Sequence, residues 1–247
     1  MLSPILPAAL FSVLAASDRA LGLGVALGPA AWATAIATLA IGFGVFGSAR
    51  QDETALSRRI FLAQGLSWIG IFSMFVLLAP VATQRLGFAN DDQVGRAIAI
   101  ALGLFNLVAA LAPIVLLMPL TKRFRRSHVH AAAMTVMALS FTLVGSWVSN
   151  SAQLWLCMAL AGLGWGSLVS LPYVIFCDRI GPGQLGLMLG LFNVSVVVPQ
   201  LVVSLGLGAL APSMTSQGDL FLIAAAALIA SAMAWACIPP IRERAPA

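Results

Sequence analysis

Long, uninterrupted apolar blocks separated by short polar loops organise this chain. Seven blocks fall at about Leu21–Phe46, Phe61–Thr83, Arg96–Pro119, His130–Trp147, Leu154–Cys177, Leu185–Ala209 and Leu220–Ile238. Each is about 18–26 residues, enough to cross a hydrocarbon core of about 30 Å at 1.5 Å per residue. In lipid, a spanning segment must pair its own backbone N–H and C=O groups, so the blocks are predicted to be helices. The alternating segments of about 10 residues that would mark a membrane β-barrel do not occur. A shorter apolar segment, Leu2–Ser17, precedes the first block; it has no positively charged start and does not read as a signal peptide.

Composition reinforces this pattern. Of 247 residues, 61% are hydrophobic and only 9% charged, and the mean hydropathy is +1.01. A soluble domain carries about 25% charged residues. The net charge of +5 changes meaning in this setting, because the basic residues sit in loops. One set of loops holds Arg50, Arg58, Arg59, Lys122, Arg123, Arg125, Arg126, Arg179, Arg242 and Arg244, whereas the opposite set holds Arg19, Arg85 and Arg96. The positive-inside rule places the richer set, and with it the C-terminus, in the cytoplasm. The expected location is a multi-pass position in a bacterial inner membrane, with the lipid bilayer as partner and no nucleic acid.

Chemistry is sparse inside the spans. Asp178 and Arg179 fall at the cytoplasmic end of one span, and His128 and His130 at the cytoplasmic start of another. No catalytic or phosphate-cradling motif is present, so neither an intramembrane enzyme nor a cofactor is expected. The cysteines Cys157, Cys177 and Cys237 fit no metal site and read as small packing residues. Uncharged polar residues recur on helix faces instead. Gly166, Ser170, Tyr173 and Cys177 share one face, as do Asn193, Gln200 and Ser204, and more loosely Gln64, Ser67, Trp68 and Phe75; Asn106 stands alone. An amide facing lipid costs several kcal/mol, so these faces are expected to meet other helices or a wet cavity. Interhelical hydrogen bonding accounts for them as readily as substrate binding does. Gly162 with Gly166, and Gly186 with Gly190, have the spacing of close helix packing. Pro113, Pro172 and Pro199 fall inside spans and predict kinks.

Three segments carry a resemblance. Gly186–Gln200, reading GLMLGLFNVSVVVPQ, resembles the penultimate helix of the sucrose/proton symporters, a glycoside-type sugar:cation group of the major facilitator superfamily. Gly164–Tyr173, GWGSLVSLPY, is similar to the preceding helix, and Leu66–Phe75, LSWIGIFSMF, to the seventh. The resemblance implies an all-α integral membrane protein: a six-helix C-terminal bundle over residues 60–247, a cytoplasmic linker over 47–59, and over 1–46 the end of an N-terminal bundle, one and a half helices. It implies a sugar substrate, bound by Ser67, Trp68, Tyr173, Asn193 and Gln200, and proton-coupled symport by alternating access. The first four helices of the family have no counterpart here, so a missing N-terminal bundle or a partner half is expected. The rival expectation is a non-transporting or half-transporter membrane subunit that needs a partner chain.

Overall fold

The computed structural model describes residues 51–88, 90–180, 183–210 and 217–240. The apolar segment Leu2–Ser17 and the block Leu21–Phe46 lie outside them. The described residues are helical with no strand. The helices are α1 (Gln51–Leu86), α2 (Asp91–Ala112), α3 (Met118–Arg123), α4 (Arg126–Ser146), α5 (Ser151–Leu168), α6 (Leu171–Cys177), α7 (Leu185–Leu210) and α8 (Gln217–Ala236). Five stretches are long and apolar enough to cross a membrane: Arg58–Leu86, Asp91–Arg123, Arg126–Ser146, Ser151–Cys177 and Leu185–Gly206. The apolar part of α8, Phe221–Ala236, is shorter. This is the makeup of a multi-pass helical membrane bundle.

Local signals set the helix ends. Asn90 and Asn150 accept from the backbone N–H groups of Gln93 and Gln153, capping α2 and α5. Gly87, at a φ of 58°, closes α1 in a left-handed turn. The stretch expected as a linker, Gly47–Arg59, is helical from Gln51 onward. From Gln51 to Arg59 its polar residues form the first turns of α1.

The prolines act differently from one another. At Pro113 the α-helical pattern widens into a π turn, Pro113–Leu117, before resuming as α3. Ahead of Pro172 the helix breaks at Val169 and Ser170, because proline offers no N–H to the carbonyl four residues back. The face expected to run continuously from Gly166 to Cys177 is therefore interrupted. Ser170 turns its hydroxyl back onto the Gly166 carbonyl at 2.6 Å. Pro199 and Pro80 are carried inside α7 and α1 without ending them.

Helix α5 is the centre of the packing, and its glycines explain why. A Cβ at Gly162 would collide with the Phe105 carbonyl of α2, and one at Gly166 would stand 2.6 Å from the Ala109 carbonyl. On the opposite side of α5, a Cβ at Gly164 would stand 2.5 Å from the Met137 side chain of α4. The backbone of α5 thus lies directly against two neighbours, where dispersion and short polar contacts hold membrane helices together. Helix α4 approaches α8 at Gly145 and Gly218 in the same way. Nothing among the described residues approaches the second expected packing pair: a Cβ at Gly186 or Gly190 would meet none of them within 4 Å.

An aromatic chain joins α1 to this centre. Trp68 stacks on Phe72 and meets Trp165 edge-on at 5.7 Å, Trp165 stacks on Phe105, and Phe105 meets Phe75 edge-on. Phe61 joins α1 to Phe176 of α6 and Phe192 of α7. Large apolar side chains such as Leu107, Ile114, Leu156, Val202 and Met233 stand exposed, as a lipid-facing surface requires. Replacing Gly166 by leucine is expected to destabilise the bundle by about 1–3 kcal/mol through overpacking. The readout is the thermal unfolding midpoint in detergent, and Gly186→Leu, in open space, is expected not to lower it.

Candidate functional site

Buried fractions divide the spans into two kinds. In α2 and in α7 only 28% of the most apolar stretch is buried, against 56–61% in the other three long spans. On α7 the residues Gly186, Gly190, Asn193, Val197, Gln200 and Ser204 follow helical spacing along one face. All but the half-buried Val197 are exposed. Asn193 and Gln200 straddle the middle of the span Leu185–Gly206. On α2 a second stripe of Gly95, Ala99, Gly103, Asn106 and Ala110 is exposed, and Cβ atoms at its glycines would meet none of the described residues within 4 Å. The large apolar residues Ile100, Leu107, Leu111 and Ile114 occupy a different face of the same helix.

The amides on these stripes are poorly served by the described residues. The Tyr173 hydroxyl donates to Asn193 Oδ1 at 3.4 Å, a long bond. Asn106 satisfies one hydrogen by donating to its own helix, at the Leu102 carbonyl. Gln200 has no partner among the described residues. An amide left to hydrocarbon at mid-depth costs several kcal/mol. The stripe on α7 therefore faces water or another protein surface, not acyl chains.

The five expected binding residues separate into two groups. Tyr173 and Asn193 are brought together across α6 and α7, and Gln200 lies two turns further along the α7 stripe. Trp68, only 7% exposed, forms part of the aromatic chain. Ser67 is fully buried in the joint between α1 and α8; its hydroxyl shares a 2.5 Å hydrogen bond with Ser231, which also donates to the Ala63 carbonyl. Gln64 is fully buried as well, its amide without a protein partner among the described residues. The loosely polar face expected on α1 thus turns inward, apart from Phe75.

Two polar features were not legible as such in the sequence. His130 is fully buried instead of lying at an interface: its Nδ1 sits 2.8 Å from Ser167 Oγ, and its ring meets Trp235 edge-on at 4.8 Å. It therefore ties α4 to α5 and α8. Trp165, half-buried between Trp68 and Phe105, was the other; only its place in a glycine-rich stretch hinted that a large ring would have to fill space beside those glycines. Of the cysteines, Cys157 is buried, Cys177 half-buried and Cys237 exposed, so the packing role holds for Cys157 and fails for Cys237.

No protein-family model matches the chain, and no curated protein matches it.

Single cysteines introduced into a chain freed of Cys157, Cys177 and Cys237 test the nature of the stripe. A membrane-impermeant thiol reagent is expected to label Asn193→Cys and Gln200→Cys. It is expected to leave Leu187→Cys and Val202→Cys unlabelled, because these exposed positions lie on another face of the same helix.

Proposed function

We propose that this chain is the C-terminal part of a membrane transporter of the major facilitator type that moves a sugar together with protons by alternating access. The observation that carries the reading is the uncovered amide pair Asn193 and Gln200 at the middle of a span, with the Tyr173 hydroxyl beside it. Amides and a phenol are suited to sugar hydroxyls, since each offers donors and acceptors without charge. The exposed Phe75 adds a ring on which an apolar sugar face can stack. In this reading the bundle rocks against a second bundle around a midplane site. Ser67 serves the scaffold, and the basic loops face the cytoplasm of a bacterial cell.

One feature favours the second reading, a half-transporter subunit that needs a partner chain. Gly186 and Gly190 extend the polar stripe with residues that let another helix approach closely, and nothing among the described residues does so. Both readings share the stripe and differ in whether the second bundle belongs to the same polypeptide or to a partner chain.

The test is uptake of radiolabelled sucrose by cells expressing the whole locus that encodes this chain. Uptake above the vector control, abolished by a protonophore, is expected. Asn193→Ala is expected to lower the initial rate at least about tenfold, a loss of about 1.4 kcal/mol of transition-state stabilisation, with the amount of folded protein unchanged. Uptake indifferent to the proton gradient rejects symport. No uptake, together with a second chain cross-linked to the α7 stripe in native membranes, supports the subunit reading.

A further inference from the structure

At one end of the bundle, three elements bring arginines together. Arg125 precedes α4, Arg126 opens it, and Arg179 follows α6; with Ser127, Asp178, Pro239 and others they line a recess of about 310 Å³. The arginines are held by fixed partners. Arg125 donates to the Ile238 carbonyl at 2.5 Å and meets His128 Nε2 at 3.2 Å. Arg179 donates to the Pro239 carbonyl at 2.8 Å and to the Ile175 carbonyl, and its Nε is buried without a protein partner among the described residues. Arg126 is paired with Asp178. Among the described residues, three guanidiniums thus share a single carboxylate in the recess. Burial lowers the Arg179 pKa from its ordinary value, Asp178 raises it, and Arg125 lowers it further. Lys122 and Arg123, in the last turn of α3, add positive charge beside the recess.

A second cavity, about 360 Å³, adjoins the first through Phe124, which lines both. Apart from His128 its lining is apolar and includes Leu116, Leu120, Ala132, Val136 and Leu163. It runs beside the π turn, where Pro113 widens the helix, and follows α4 toward the interior of the span. A cationic recess opening onto an apolar groove has the polarity of a lipid, charged at one end and hydrocarbon along the rest.

We propose that the recess and the groove form one site for an anionic phospholipid, its phosphate at Arg125, Arg126 and Arg179 and an acyl chain along Leu120 and Val136. Charge complementarity selects the headgroup, because a phosphodiester matches arginine forks that Asp178 alone does not satisfy. The groove selects a lipid over a soluble phosphate, because a soluble anion gains nothing from 360 Å³ of apolar lining. Basic pockets between helices at this level of a membrane are suited to such headgroups. The site stands apart from the α7 stripe and does not depend on the transport reading.

Native mass spectrometry of the full chain in detergent, titrated with dioleoylphosphatidylglycerol or dioleoylphosphatidylcholine, tests the proposal. One phosphatidylglycerol is expected to be retained at least about tenfold more tightly than phosphatidylcholine, with the preference shrinking as ionic strength rises. Arg126→Gln is expected to weaken phosphatidylglycerol binding about fivefold. Asp178→Asn, which removes the competing carboxylate, is expected to strengthen it, an effect that a merely structural pair would not produce. Ala132→Phe, filling the groove, is expected to weaken both lipids while leaving glycerol phosphate binding unchanged. Equal retention of the two lipids overturns the proposal, as does weaker phosphatidylglycerol binding by Asp178→Asn. Displacement by glycerol phosphate at matched concentrations also overturns it, and assigns the recess to a soluble anion.

Discussion

A polar group carried into the hydrocarbon layer has to find a partner, and most of this bundle's internal organisation follows from that requirement. Serine and threonine hydroxyls along the spans return to carbonyls of their own helices, as Ser73, Thr135, Ser140 and Thr142 do. Where two helices carry polar groups at the same depth, the groups pair and fix the register between them. Ser67 with Ser231 does this for α1 and α8, and His130 with Ser167 does it for α4 and α5. Each such bond adds only about 0.6–2 kcal/mol, but its loss would strand a buried polar atom, so it specifies geometry more than it adds stability. The α7 stripe is conspicuous against this background, since its amides are at mid-depth and the described residues leave them largely unserved.

Close approach is the second organising factor. Glycines on opposite sides of α5 let the backbones of α2 and α4 come near, and the space this leaves elsewhere is filled by rings from α1, α2 and α5. Glycine therefore has two uses here. At Gly162, Gly164 and Gly166 it makes packing possible, whereas at Gly95, Gly103, Gly186 and Gly190 it keeps a surface low and open. The two uses are indistinguishable by spacing and separate only when neighbours are known.

The charged end of the molecule obeys a different rule. Arg125 and Arg179 reach back to the Ile238 and Pro239 carbonyls, just past the end of α8. They tie the last described residues to the loop after α3 and to the end of α6. The same side chains that serve as topology markers in the sequence thus close one end of the bundle and build a cationic recess beside an apolar groove.

The sequence by itself located the five long apolar helices, because a run of about 20 apolar residues has one inexpensive arrangement in a bilayer and needs no partner to declare it. It also determined the break ahead of Pro172, which depends on neighbours only a few residues away. Asn193 and Gln200 were legible as one face from helical spacing alone. Only the tertiary structure decided which polar face turns inward. Ser67 and Gln64 look much like Asn193 and Gln200 in sequence, yet the first pair is enclosed and the second open. Periodicity tells which residues share a face, but the direction of that face is set by contacts with helices far away in the chain. Those contacts also buried His130, opened Gly186 and Gly190, and gathered arginines from separate loops into one recess.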